Sequence, residues 1–241
     1  MFDDVGAKNA APIVLLPAFG VPRAMWRLQQ EALAKDFRVL AFDLPGLAGQ
    51  PDELAFTMAA AARCVAETVE QHVGRRAHFA GISLGATLAV AVALDFPEQV
   101  ASLMLSGGQA HPGILSRLER RVVQITPERF LVGGFPPGLR ERYPELVAAA
   151  AEQQLRVGKR RLLAALTEFS HVDLRSRLHE IDVPTLVLYA TKNRLSLRGS
   201  RALASGIPGA RFEAVTGAGH IWNLETPQLF TQVLSDFVNT A

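Results

Sequence analysis

Ala77-His78-Phe79-Ala80-Gly81-Ile82-Ser83-Leu84-Gly85 runs from a short apolar stretch into a serine flanked by glycines, and the chain then stays almost wholly apolar from Ala86 to Phe96 until Pro97 stops it. The first part reads as a buried strand over Ala77 to Ile82. The second reads as a helix over Leu84 to Phe96, small and apolar nearly all round, as a helix wedged against a sheet must be. Only a sharp turn at Ser83 joins the two. A strand that reverses into a helix within one residue brings the two backbones together, so the positions two before and two after the turn must be small, and Gly81 and Gly85 hold them. Such a turn lifts the serine hydroxyl clear of both elements, where nucleophilic catalysis would use it. The pentapeptide alone arises often by accident; its place between a strand and a helix gives it weight.

Working outward, further short apolar runs occur at Pro12 to Pro17, Arg38 to Asp43, Val100 to Ser106, Pro184 to Ala190 and Arg211 to Val215, separated by longer helical patterns. That alternation predicts an α/β fold, a mainly parallel central sheet flanked by helices, with six buried strands in its core. Thr57 to Val73 has apolar residues at Ala61, Val65 and Val69 on one helical face, and Gly74 supplies the left-handed stop. From Thr226, with Pro227 at the first helical position, Leu229, Phe230, Val233, Leu234 and Phe237 form a stripe that predicts a terminal helix packed on the sheet edge. From about His111 to Arg177 (111–177) no convincing strand appears. Helical patterns there are separated by Gly133-Gly134 and Pro136-Pro137-Gly138, so the segment reads as a helical insertion within a single domain spanning 1–241.

Composition bounds the function more weakly. Hydrophobic residues at 49% and charged residues at 20% place the 241-residue chain among ordinary soluble globular proteins. The net charge is only +2, and no basic run alternates with aromatics, so a nucleic acid partner is not expected; the groups Arg117, Arg120, Arg121 and Lys159, Arg160, Arg161 read as solvated helix faces. The single cysteine, Cys64, cannot form an internal disulfide and is expected to pack within its helix. An acidic start, Met1-Phe2-Asp3-Asp4, and the lack of an apolar run near 18 residues predict a cytoplasmic protein with no membrane contact. No ligand-spaced His/Cys/carboxylate cluster and no Gly-x-x-x-x-Gly-Lys loop occurs, so neither metal nor cofactor is expected.

A serine hydroxyl is a poor nucleophile until a base takes its proton, so the reading of Ser83 requires a histidine. Of six, His220 stands out: in Gly217-Ala218-Gly219-His220 it follows the last strand and precedes the terminal helix, on a loop able to turn tightly. His72 and His78 flank the Gly74 turn and His179 lies in a helix-like stretch. His111 and His171 bound the insertion, where they would face a pocket or serve as surface and capping residues.

With these residues in place, the chain resembles a small member of the α/β-hydrolase superfamily, near the single-domain esterases, lactonases and carbon–carbon bond hydrolases. The resemblance covers almost the whole length through Leu15-Leu16-Pro17-Ala18-Phe19-Gly20 before Trp26, Asp43-Leu44-Pro45-Gly46, the serine turn, Val183-Pro184-Thr185-Leu186-Val187-Leu188, and Gly219-His220. It implies Ser83 as nucleophile, His220 as base, an oxyanion hole from the backbone N–H groups of Phe19 and Leu84, and a helical cap over 111–177. Pro17-Ala18 stands where such enzymes commonly carry His-Gly.

The third triad member departs from the pattern. Relatives place Asp after the Pro-Thr-Leu-Val strand, and this chain has Ala190-Thr191-Lys192-Asn193. An Asn carbonyl can orient an imidazole but cannot compensate its charge. The end of the preceding strand, Ser106-Gly107-Gly108-Gln109, where some relatives carry the acid, has no carboxylate; Asp173 is a lesser candidate, and Asp43 reads as shaping its strand-end loop.

Three functions follow. The leading one is hydrolysis of a small or medium, largely apolar ester, lactone or thioester through an acyl-enzyme, with Asn193 orienting His220. The second is a lyase or cyclase on the same scaffold, and the third a ligand-binding protein that has lost turnover. A small molecule is the expected partner; the arginine-rich insertion faces would also suit an acidic carrier protein.

Overall fold

The computed structural model describes residues 1–49, 55–112, 120–126 and 135–241. Arg117 and Gly133-Gly134 lie outside the described residues. Seven strands form one sheet in the order β1-β3-β2-β4-β5-β6-β7, with β1 Phe2–Val5, β2 Pro12–Leu16, β3 Arg38–Phe42, β4 Ala77–Ile82, β5 Val100–Ser106, β6 Thr185–Ala190 and β7 Arg211–Val215. Only the β1–β3 pair is antiparallel; every other neighbour is parallel.

Strand geometry divides the apolar residues between two cores. Successive side chains point to opposite faces, so along β2 Val14 and Leu16 join one cluster while Ile13 and Leu15 join the other. The first cluster takes helices α2 Met58–His72 and α3 Leu84–Asp95. The second takes α1 Arg27–Leu33 and the terminal helix, with Trp26, Trp222 and Phe230 among the largest fully buried side chains. Thr57 caps α2 by accepting the Ala60 N–H at 3.1 Å, as a threonine at a helix start should. Every residue of α3 from Leu84 to Leu94 is buried, which explains its all-round apolarity.

Between β5 and β6 the described residues contain no strand. Helical residues 120–125 are followed by α4 Pro137–Arg142, α5 Pro144–Val157 and α6 Lys159–His171. Pro137 and Pro144 each sit in a first turn, where a missing N–H costs nothing. Lys159 ties this region together by donating to the carbonyls of Gln124 and Thr126. The chain ends with α7 Leu197–Gly206, the short α8 Trp222–Glu225 and α9 Pro227–Thr240.

Four expectations are corrected. β1 is an additional strand: its two acidic residues hide the apolar pattern, and Asp4 faces Arg38 of β3 instead. β7 is exposed at four of its five residues because it is the sheet edge, so the strands are not all buried. α9 meets the sheet at the inner strand β5 more than at its edge, and packs beside α1 with Phe230 against Trp26 and Trp222, while Leu229 of the expected stripe is exposed. Cys64 is exposed on α2, with Val65 and Ala66 taking the buried face.

No helix among the described residues is long and apolar enough to cross a membrane, and no group of three or more His, Cys, Asp or Glu among them is arranged to hold a metal ion.

Candidate active site

The order of the strands marks where a site should be. β2 leads to β3 on one side and β4 begins on the other, so the crevice beyond the C-terminal ends of β2 and β4 lies at the point where the connections reverse direction, the usual ligand position in open parallel sheets. Phe19 follows β2, Ser83 follows β4, Asn193 follows β6 and His220 follows β7. These four residues, with Leu84 at the start of α3 directly after Ser83, therefore lie at that one edge.

Ser83 has φ 58° and ψ −120°, the only non-glycine residue with positive φ among the described residues. That conformation is costly for any side chain with a Cβ and persists only where the surroundings enforce it. Here the two glycines allow it. A Cβ on Gly81 would stand 2.5 Å from the backbone of Gly85 and Ala86, and one on Gly85 would stand 2.2 Å from the Leu16 carbonyl oxygen and 2.6 Å from that of Pro17. The second contact also presses the start of α3 against the turn that leaves β2. The turns carrying Leu84 and Phe19 are thereby held together, and none of the turn or loop hydrogen bonds among the described residues uses the N–H of either.

His220 and Asn193 meet directly: Nδ2 of the Asn193 side-chain amide is placed 2.6 Å from His220 Nδ1. An amide can turn either end toward a ring nitrogen. With Oδ1 inward it accepts Nδ1–H and leaves Nε2 with a free lone pair; with Nδ2 inward it donates to Nδ1 and leaves the proton on Nε2. Only the first arrangement makes Nε2 a base. Burial pushes the His220 imidazole below its ordinary pKa, so the neutral ring is favoured.

Ser83 reaches the same platform through β5. Its N–H donates to the Ser106 carbonyl at 2.8 Å. The next residue, Gly107, has φ 64°, and a Cβ placed there would be 3.3 Å from His220 Cε1 and 3.4 Å from Nδ1. The imidazole thus lies over Gly107, one residue along the chain from the group that fixes the Ser83 backbone. The loop is further held by Glu225, whose carboxylate accepts the Gly219 N–H at 2.7 Å, and by Trp222, whose indole N–H donates to Ser106 Oγ at 2.8 Å.

The remaining candidates are occupied elsewhere. Asp173 is exposed and bonded to Arg175, which holds its carboxyl down at about 2. Asp43 is buried and accepts the Arg23 N–H at 2.8 Å, with the Arg23 guanidinium on its other oxygen, so it shapes the strand end. His111 Nδ1 lies 3.1 Å from the Val172 carbonyl and His171 is exposed at the end of α6. His78 contacts Ser102 Oγ at 2.8 Å. Sequence reasoning missed Ser106, Gly107 and Glu225. Gly107 and Ser106 stood in a stretch inspected only for a carboxylate, and nothing local marks Glu225.

A cavity of about 480 Å³ between α1 and the α4–α5 junction is lined by Met25, Leu28, Arg142, Tyr143, Leu146 and Leu224 among others, and none of the four site residues contributes to it.

Comparison with known proteins agrees with this architecture. A model of the alpha/beta hydrolase family matches residues 13–233. The chain is 30% identical over 242 residues to a protein of Azorhizobium caulinodans that carries the provisional name carbamate hydrolase RutD, covering 94% of this chain and 90% of the relative. It is 30% identical over 193 residues to the pimeloyl-acyl-carrier-protein methyl ester esterase of Vibrio cholerae, covering 73% of this chain and 74% of that protein. The crystal structure of the enol-lactonase from Burkholderia xenovorans superposes with a TM-score of 0.80 at 26% identity, covering 99% of this chain and 96% of that one. With the strained serine turn, the strand order and a family match over most of its length, the chain belongs to the alpha/beta hydrolase family.

Proposed function

We propose that this chain is a serine-dependent hydrolase that cleaves a small or medium, largely apolar ester, lactone or thioester through an acyl-enzyme. The observation that carries the reading is Ser83 itself, held at φ 58° on a strand-to-helix turn that two glycines make possible. In the proposed reaction Ser83 Oγ attacks the acyl carbon as His220 Nε2 takes its proton. The carbonyl oxygen gains charge opposite the N–H groups of Phe19 and Leu84. Collapse expels the alcohol or thiol with the proton from His220, and water, deprotonated by the same imidazole, then releases the acid. Asn193, with its amide turned so that Oδ1 faces the ring and accepts from Nδ1–H, acts as a positioning residue that keeps the proton on Nδ1. The helices between β5 and β6 serve as the cap that shapes the acyl pocket. The names of the relatives, a carbamate hydrolase, a methyl ester esterase and an enol-lactonase, all describe cleavage at an acyl carbon, which supports this class of bond.

One observation favours a second reading. The amide at Asn193 can hold the ring without compensating an imidazolium, and this suits a lyase or cyclase in which His220 acts as a base on a C–H or O–H and no acyl-enzyme accumulates. A panel of p-nitrophenyl esters and lactones separates the two. Turnover with a pre-steady-state burst, lost in Ser83→Ala, is the expected result; a folded protein that turns over none of them sinks the hydrolase reading.

A further inference from the structure

Ser106 stands at the end of β5, where some members of this family carry the catalytic acid, and it has no charge to offer. What it has is two hydrogen bonds to the two halves of the site. Its carbonyl accepts the N–H of Ser83 at 2.8 Å, fixing the backbone of the turn from which the nucleophile projects. Its hydroxyl, in a residue 2% exposed, accepts the indole N–H of Trp222 at 2.8 Å, and Trp222 lies two residues beyond His220. The imidazole itself rests on the neighbouring Gly107, where a Cβ would come within 3.3 Å of the ring. Ser106 and Trp222 are 116 residues apart in the chain, so nothing but this contact and the surrounding packing ties their separation down.

We infer that Ser106 is the positioning residue that sets the distance between nucleophile and base, gripping the Ser83 turn with its carbonyl and the His220 loop with its hydroxyl. The inference rests on the roles proposed for Ser83 and His220. In enzymes that use a carboxylate, the charged hydrogen bond to Nδ1 both holds the ring and restores it after each proton transfer. Here the ring is held by a neutral amide, which binds it more weakly, so the loop must be fixed by other means. The buried Trp222–Ser106 bond does that. Trp222 is fully buried and packs against Phe230 with ring centroids 4.6 Å apart and planes inclined by 54°, so the indole is a rigid arm and movement at its N–H is transmitted to the loop two residues away.

The test is a double-mutant cycle on the full chain with Ser106→Ala, Trp222→Phe and the pair, read by steady-state kinetics on the best ester and by the imidazole ¹⁵N resonances of His220. Trp222→Phe keeps an aromatic ring against Phe230 while removing the donor. The expected result is that each single variant lowers kcat by about 10- to 100-fold with KM within about twofold, as a misplaced group costs chemistry before it costs binding. The pair should lose no more than the worse single, and the His220 resonances should shift in each. Multiplicative losses, an unchanged kcat in a folded Ser106→Ala protein, or a loss confined to KM would overturn the inference. Because the resonances report the ring without turnover, a wild type inactive on every ester but with His220 signals displaced in both single variants refutes the hydrolase reading and retains the grip; unchanged signals refute the grip. If Ser106→Ala fails to fold, Trp222→Phe carries the same comparison, and an unchanged kcat and spectrum there also overturn it.

Discussion

At Asn193 one oxygen replaced by one nitrogen changes what the neighbouring ring can do. A carboxylate could only accept from Nδ1 and would stabilise the imidazolium that forms when Ser83 gives up its proton. The amide at 2.6 Å accepts or donates according to which end faces the ring, and carries no compensating charge. In serine proteases the equivalent Asp to Asn change lowers turnover by about ten-thousandfold, so Asn193→Asp is expected to raise kcat by at least about tenfold within that bound. It should also alter the pH profile in a defined direction. Burial alone keeps the His220 pKa below the ordinary imidazole value of 6.5, so the base stays unprotonated to lower pH and the acid limb of kcat/KM in the wild type should fall below that value. A carboxylate partner favours the charged ring and should move the limb upward. Stopped-assay pH profiles of the two proteins check both statements; a limb that stays in place, or a slower Asn193→Asp enzyme of wild-type stability, removes Asn193 from contact with the chemistry. Sequence reading identified Asn193 as the oddity from the motif around it. The resemblance also led to the expectation that Asn193 faces His220, and the two side chains do meet; which end of the amide faces the ring was not legible, because it depends on how the ends of β6 and β7 align.

Among the elements, the turn between β4 and α3 was the most legible, because its constraint is local. Two glycines, a strand pattern and an apolar helix lie within twenty residues, and each requires the others. The same closeness makes it fragile. Gly85→Ala would drive a Cβ to 2.2 Å from one backbone carbonyl and 2.6 Å from the next, and neither can move without displacing β2. We expect the substitution to cost more than about 3 kcal/mol, measurable as a fall in the denaturant midpoint, whereas a midpoint equal to the wild type would mean that the helix can retreat. α9 shows where local reading stops. Its stripe correctly marks Phe230, Leu234 and Phe237 as buried, but a helix cannot reveal from its own pattern whether its partner is a sheet edge or, as here, α1 and the aromatic cluster of Trp26 and Trp222. Cys64 was misread for a related reason: it sits beside Val65 and Ala66, and a one-residue step around a helix separates the buried face from the exposed one.

Over the whole molecule, the parallel sheet follows from alternating apolar runs, and its antiparallel edge does not. β1 is joined to β3 by an antiparallel ladder in which only Phe2 and Val5 pack on the core, and its two acidic side chains add charge pairs. Arg38, 5% exposed, donates from Nε and Nη2 to the two oxygens of Asp4 at 3.0 and 2.7 Å, and Arg23 donates to Asp3 at 2.8 Å. A hydrophobic pattern cannot record a strand held this way. Neutralising Asp4 leaves the buried guanidinium without its compensating charge and with one acceptor in place of two, so Asp4→Asn should lower stability by about 2–4 kcal/mol in urea unfolding. The Arg38 hydrogen bond holds the Asp4 carboxyl below its ordinary value of 3.8. The pair's contribution is therefore complete above that pH and is lost as pH falls through the folded-state value. The stability difference between wild type and Asp4→Asn should accordingly shrink below pH 4, and a difference that does not depend on pH there would mean that the ion pair is not its source.

The same architecture carries four loops to one edge of the sheet, and the proposed chemistry depends on two of them acting together. Covalent labelling by a fluorophosphonate, located by peptide mass spectrometry, tests that directly. The expected adduct is on Ser83, absent in Ser83→Ala and formed at least about a hundredfold more slowly in folded His220→Ala, since the hydroxyl is a weak nucleophile without its base. An adduct on another residue, or labelling of Ser83 at the same rate without His220, would contradict a serine nucleophile activated by that imidazole.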